Sequence, residues 1–176
     1  MSDIERQERL RIAEALRSDF ELHEGWQGRH KHGGERVFYD LIARPRSHLV
    51  EAGFDDGHFV IEVKMFNAND RQPHDVKARD LFWQCVVYSF SEIELPNGDA
   101  CRPLFTVYFI GGSGIDPQYK SEVTQLHHFV QRGGVGKLEL GNNDWLLRFG
   151  PHRYFSKLRG KGPHNVGVKR QVGSAR

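Results

Sequence analysis

Residues 58–64, His-Phe-Val-Ile-Glu-Val-Lys, follow an Asp-Asp-Gly turn and alternate apolar with polar or charged side chains. As a strand this run sets Phe59, Ile61 and Val63 on one face and Glu62 and Lys64 on the other, two residues apart. Charges on a strand inside a folded domain need partners, because an unpaired buried charge is costly. Residues 103–111, Pro-Leu-Phe-Thr-Val-Tyr-Phe-Ile-Gly, are almost continuously apolar and suit a central strand covered on both sides.

Helical patterns surround these strands. Residues 3–19 place Ile4, Leu10, Ile12, Ala13 and Leu16 near one side of a helix that Asp3 can cap. Residues 23–36, with two adjacent glycines and little periodicity, read as a loop. Residues 37–43 are stiff and apolar; a strand is preferred, although the same residues fit the period of a short helix. Segments 48–54 and 58–64 flank Asp56-Gly57, the favoured centre of a two-residue hairpin turn. Residues 75–93 read as a helix with Val76, Leu81, Phe82, Cys85 and Val86 inward, and residues 118–133 as another. Residues 136–140 and 144–150 form a late hairpin across Gly141-Asn142-Asn143. The expected fold is α/β in one domain, residues 1–150.

Net charge divides unevenly along the 176 residues. Seven of the 25 Lys and Arg fall in residues 151–176 with no acid, so residues 1–150 hold 18 basic against 23 acidic side chains, a net of −5. The basic stretch reads as a flexible tail suited to phosphate backbones, with Lys157, Arg159 and Lys161 as nucleic-acid contacts. A solubilising terminus is the plainer alternative. Cys85 and Cys101 are the only cysteines, which excludes a disulfide scaffold and a four-thiolate zinc site. No apolar run reaches membrane-spanning length and the polar N-terminus lacks a signal-like core, so a cytoplasmic protein is expected.

The hairpin carries the chemistry. With Asp56 and Gly57 as turn residues, Glu51 falls directly opposite Glu62, and opposed carboxylates repel unless a cation lies between them. Magnesium takes oxygen ligands and keeps several waters, so Glu51, Glu62 and the backbone carbonyl of Val63 form a sufficient protein contribution. Lys64 then lies near the metal-bound water and the phosphate to be cut. On the following helix Gln84 and Tyr88, four apart, share a face. Gln84 is a polar wall for such a site, and Tyr88 can hydrogen-bond or stack at its mouth. The plain alternative is a solvent-facing hairpin with an ordinary boundary Gln and a packed Tyr.

An acid, then Glu62-Val63-Lys64 on a strand, then a helix bearing Gln84-Cys85-Val86-Val87-Tyr88, resembles the PD-(D/E)xK nuclease superfamily, in particular its RecB-like exonuclease branch. The similarity covers residues 37–110. It implies a restriction-endonuclease-like core, a central mixed β-sheet flanked by helices, and hydrolysis of DNA phosphodiesters with Mg2+ or Mn2+. The chain departs from the pattern at the first acid, usually an Asp after Pro, where Arg44-Pro45-Arg46 stands instead. Glu51 substitutes by cross-strand geometry, with Asp40 second. Glu14, Glu24 and Glu35 are candidates for the acid that the first helix region often adds. Arg44 and Arg46 are candidate phosphate clamps.

Other chemistries lack their residues. No His-Glu-x-x-His or Cys-x-x-Cys exists among ten histidines and two cysteines, and Gly111-Gly112-Ser113-Gly114 lacks the Lys-Ser/Thr of a phosphate-binding loop. Two classes remain: a metal-dependent DNA nuclease of recombination, repair, restriction or phage DNA processing, and a catalytically inactive nucleic-acid-binding protein on the same fold. DNA is the expected partner in both, with a second copy of the chain or a DNA-processing protein as further candidates.

Overall fold

The computed structural model describes residues 3–161 apart from His32, Pro96, Gly133 and Pro151. Helix α1 (Asp3–Leu16) leads into β1 (Phe20–His30) and β2 (Arg36–Pro45), a five-residue helix α2 (Ser47–Glu51), β3 (Phe59–Phe66) and the long α3 (His74–Ser89). Then come β4 (Ser91–Glu94), β5 (Ala100–Cys101), β6 (Thr106–Gly112), α4 (Lys120–Arg132), β7 (Val135–Leu140), β8 (Trp145–Phe149), β9 (His152–Ser156) and β10 (Gly160–Lys161). The strands form one mixed sheet in the order β10-β9-β8-β7-β6-β3-β2-β1-β4-β5. Pairing is parallel within β3-β6-β7 and antiparallel elsewhere. Among the described residues no helix is long and apolar enough to cross a membrane.

Strand β6 lies between β3 and β7, the central place its apolar run predicts. Strand β3 is buried on both faces. Ile61 and Val63 join Ile12 and Leu16 of α1 in one core, while Phe66 packs with Ala78, Leu81 and Phe82 of α3 in another. Thus α1 covers one side of the sheet and α3 with α4 the other, an α/β architecture with helices flanking a central mixed sheet. His74 ties together the segments that leave the carboxyl ends of β3 and β6. Its Nδ1 accepts from the Asp116 N–H at 2.8 Å, and Nε2 donates to the Asn67 carbonyl at 3.1 Å.

Four sequence expectations change. Residues 23–36 are mostly strand: β1 pairs with β2 from Phe20↔Pro45 to Arg29↔Arg36, because ladder hydrogen bonds need backbone and no apolar alternation. The expected hairpin of 48–54 with 58–64 is absent. Its first arm is α2, whose turn is closed by Leu49 N–H and Val50 N–H donating to the Arg46 carbonyl, and which ends at Gly53 with φ +96°. Strand β3 pairs instead with β2, Leu41↔Ile61, Ile42↔Val60 and Ala43↔Phe59. Residues 91–94 are strand β4 rather than the end of α3.

The fourth change concerns the basic tail. Residues 152–156 are strand β9, and Tyr154 and Phe155 are buried in the aromatic core. The Phe155 ring stacks on Trp145 at 5.8 Å and meets Phe54 at 5.0 Å. The expected boundary at residue 150 therefore falls inside the sheet. Lys169, Arg170 and Arg176 lie outside the described residues. Since a truncated core aromatic typically costs about 3–5 kcal/mol, Phe155→Ala should lower unfolding free energy by that order in urea titrations. A tail residue would change it by less than about 0.5 kcal/mol.

Candidate active site at the fork between β2 and β3

Strands β2 and β3 pair up to Leu41↔Ile61 and then separate. One residue further, Asp40 stands against Glu62, and the Asp40 carboxylate takes over as acceptor. Its Oδ2 receives the Val63 N–H at 2.9 Å. A strand residue directs its N–H and C=O to the same neighbour, so the Val63 carbonyl also faces the side that β2 has left. Strand β1 accommodates the bend: its pairing with β2 skips the Gly25–Asp40 step, where Gly25 has φ +59°.

Helix α1 closes the fork. Arg9 lies on the inner stripe with Ile12, Ala13 and Leu16, and its Nη1 meets Asp40 Oδ1 at 3.1 Å. That side chain is only 8% exposed and its Nε has no hydrogen-bond partner. From the other side of the sheet comes Tyr88 of α3, whose hydroxyl lies 2.8 Å from the Phe38 carbonyl and 3.2 Å from Glu62 Oε2. With one proton, the hydroxyl donates to one of these acceptors at a time. Gln84 is one helical turn earlier on α3, and its Oε1 is buried without a partner. Lys64 is half-buried two residues beyond Glu62.

Burial pushes the Glu62 carboxyl up from its usual 4.5 to about 8, and the charge of Asp40 adds to the shift; Lys64 and the Tyr88 hydroxyl oppose it. Proximity to Asp40 thus favours the protonated form of Glu62. Two acids set against each other where burial disfavours charge are the arrangement a bridging divalent cation relieves. Burial, followed by the charges of Glu62 and Asp40, raises the Tyr88 hydroxyl and the neighbouring Cys85 thiol, so both are neutral hydrogen-bonding or packing groups.

The donors present suit a small hard cation. Asp40 and Glu62 supply carboxylate oxygens, each with two acceptor directions, so the contacts to Arg9, Val63 and Tyr88 leave capacity for a cation. The Val63 carbonyl is a third oxygen. Among the described residues no group of three or more His, Cys, Asp or Glu side chains is placed to hold a metal, so any ion here would keep most of its waters.

The fork brings together Asp40, Glu62, Val63 and Tyr88, with Lys64 two residues beyond Glu62 on β3 and Gln84 one helical turn before Tyr88 on α3. Glu51 is not among them, being exposed at the end of α2. Asp40 stands where Glu51 was expected because β2, not residues 48–54, is the neighbour of β3. Glu14 is exposed and pairs with Arg17, and Glu24 and Glu35 are exposed on and beside β1.

Nor do Arg44, Arg46 and Lys157 reach the fork. Arg44 and Arg46 lie toward the other end of β2, on the order of 13 Å or more from Asp40 at the rise of a strand. Arg44 Nε pairs with Asp56 Oδ1 at 3.3 Å, and Arg46 Nε donates to the Arg17 carbonyl at 3.2 Å. Lys157 binds Asp19 Oδ2 at 3.1 Å, at this same end. Burial works against the Asp19 charge, but hydrogen bonds from Trp145, His48, Lys157 and Ser18 outweigh it and hold the carboxyl below its usual range. Arg159 is exposed nearby in sequence, and the Lys161 side chain lies outside the described set.

Sequence reasoning missed Arg9. Its signal was present, since positions 9, 12, 13 and 16 form an i, i+3, i+4, i+7 stripe into which a lone Arg is set.

No protein-family model, no curated protein and no solved structure matches the chain.

The raised Glu62 carboxyl makes stability depend on pH. Glu62 binds its proton more tightly folded than unfolded, so its stabilising contribution is complete below about pH 4.5 and is lost as pH rises through 8. Unfolding free energy from this group should fall across that window by on the order of a few kcal/mol. Glu62→Gln, uncharged throughout, should flatten the profile. Urea midpoints measured across the window in metal-free buffer provide the check, and identical profiles for the two proteins would contradict the shift.

Proposed function

We propose that the chain is a metal-dependent deoxyribonuclease whose active site is the fork between β2 and β3. The observation that carries this reading is the half-buried Asp40 set against the buried Glu62, with Lys64 two residues further along β3. Asp40, Glu62 and the Val63 carbonyl would hold Mg2+ or Mn2+. When bound, such an ion lowers the pKa of a coordinated water and offsets charge on the phosphoryl group. Lys64 orients the attacking water or neutralises a phosphate oxygen at the mouth of the fork. Gln84 offers an unpaired amide oxygen to a water or substrate donor, and Tyr88 fixes Glu62 by its hydroxyl. The site lies toward the carboxyl ends of the parallel strands β3 and β6, the side on which open α/β sheets take ligands.

A nucleic-acid-binding protein without cleavage is the second reading. Its support is the Arg9 guanidinium on Asp40, a positive charge that competes with a cation. Incubating the purified protein with linear DNA and Mg2+ or Mn2+ separates the two. The nuclease reading expects cleavage that EDTA abolishes, with Asp40→Asn, Glu62→Gln and Lys64→Ala each reducing it by roughly a hundredfold or more. Cleavage undiminished in all three variants would sink the assigned site. Salt-sensitive DNA binding without cleavage in either metal would favour the second reading.

A further inference from the structure

We propose that Arg9 is the built-in positive charge of the carboxylate pair: its part-buried ion pair with Asp40 fills the place of a second cation. The fork is thereby restricted to a single divalent ion, held with reduced affinity. This inference rests on the reading that Asp40 and Glu62 bind a divalent cation, and it adds a role for a residue outside the Glu-x-Lys and Gln-x-x-x-Tyr patterns.

Three observations carry it. Arg9 Nη1 is 3.1 Å from Asp40 Oδ1 and the arginine side chain is 8% exposed, so water screens this contact poorly. A magnesium or manganese ion on the same oxygen, at about 2.1 Å, would lie no more than about 5 Å from that nitrogen. Repulsion at that range, in a site of intermediate dielectric, outweighs a tenfold change in affinity. Second, Asp40 does not need Arg9 to stay in place, because Oδ2 is independently held by the Val63 N–H at 2.9 Å. Third, paired ions about 3.5–4 Å apart need several bridging oxygens. Among the described residues no third carboxylate, His or Cys joins Asp40 and Glu62 in a metal-binding group.

Calorimetric titration of the full chain with Mn2+, paired with electron paramagnetic resonance of the bound ion, tests the proposal without reference to cleavage. Wild type should bind one Mn2+ per chain with no spin-coupled pair. Arg9→Gln should bind it roughly tenfold tighter or more, and Arg9→Lys, which keeps the charge, should stay within about threefold of wild type. A merely structural role would weaken binding in Arg9→Gln instead. Two coupled Mn2+ ions in wild type would overturn the proposal whether or not any variant folds. So would an Arg9→Gln protein with wild-type circular dichroism and affinity no tighter than wild type, provided Glu62→Gln abolishes binding. Absence of Mn2+ binding in wild type and Arg9→Gln alike would overturn the cation reading itself, and the role of Arg9 with it.

Discussion

The hydrogen bond from the Val63 N–H to Asp40 Oδ2 allows a sheet to open in its own middle. Strand β3 is buried on both faces, so a backbone donor released from strand pairing there needs a replacement acceptor. Leaving it unsatisfied would cost about 1–3 kcal/mol. A carboxylate is a strong acceptor for it, and its second oxygen remains free for other work. Because β2 leaves β3 at this point, Asp40 turns from a ladder residue into one side of the fork, with Glu62 as the other.

The electrostatics of the fork follow from that geometry. Two carboxyls stand against each other where burial disfavours charge, and two cations answer, Arg9 from the covering helix α1 and Lys64 from β3 itself. Arg9 has its partner in Asp40. Lys64 acts on Glu62 through space, without fully offsetting the cost of burial. The Tyr88 hydroxyl of α3 lies within hydrogen-bond distance of both Glu62 Oε2 on β3 and the Phe38 carbonyl on β2, so its one proton ties the helix to either strand in turn.

Much of this was legible in the sequence. Alternation along β3, the apolar run of β6, the helix bearing Gln84 and Tyr88, and the β7–β8 hairpin all carry strong local patterns. What failed was register at a distance. Asp56-Gly57 resembles a hairpin turn, yet the segment before it forms one helical turn with Leu49 buried, and the true partner of β3 is Asp40's strand, 22 residues before Glu62 rather than 11. Strand β1 was hidden because its glycines and polar side chains carry no alternation, while its backbone satisfies β2 along nearly its whole length. Phe155 and Tyr154 were masked by the basic residues around them, although two adjacent aromatics there mark core. Arg9 was readable as an intruder in an apolar stripe, but only the fold reveals what it faces.

Anomalous diffraction from crystals soaked in Mn2+ tests the central claim most directly, that Asp40 and Glu62 are the paired acids of one cation site. The account predicts a single anomalous peak at the fork, within coordination distance of carboxylate oxygens from both residues. A fully soaked crystal with no peak between them, or with its peak at Glu51 or elsewhere on the surface, would contradict it.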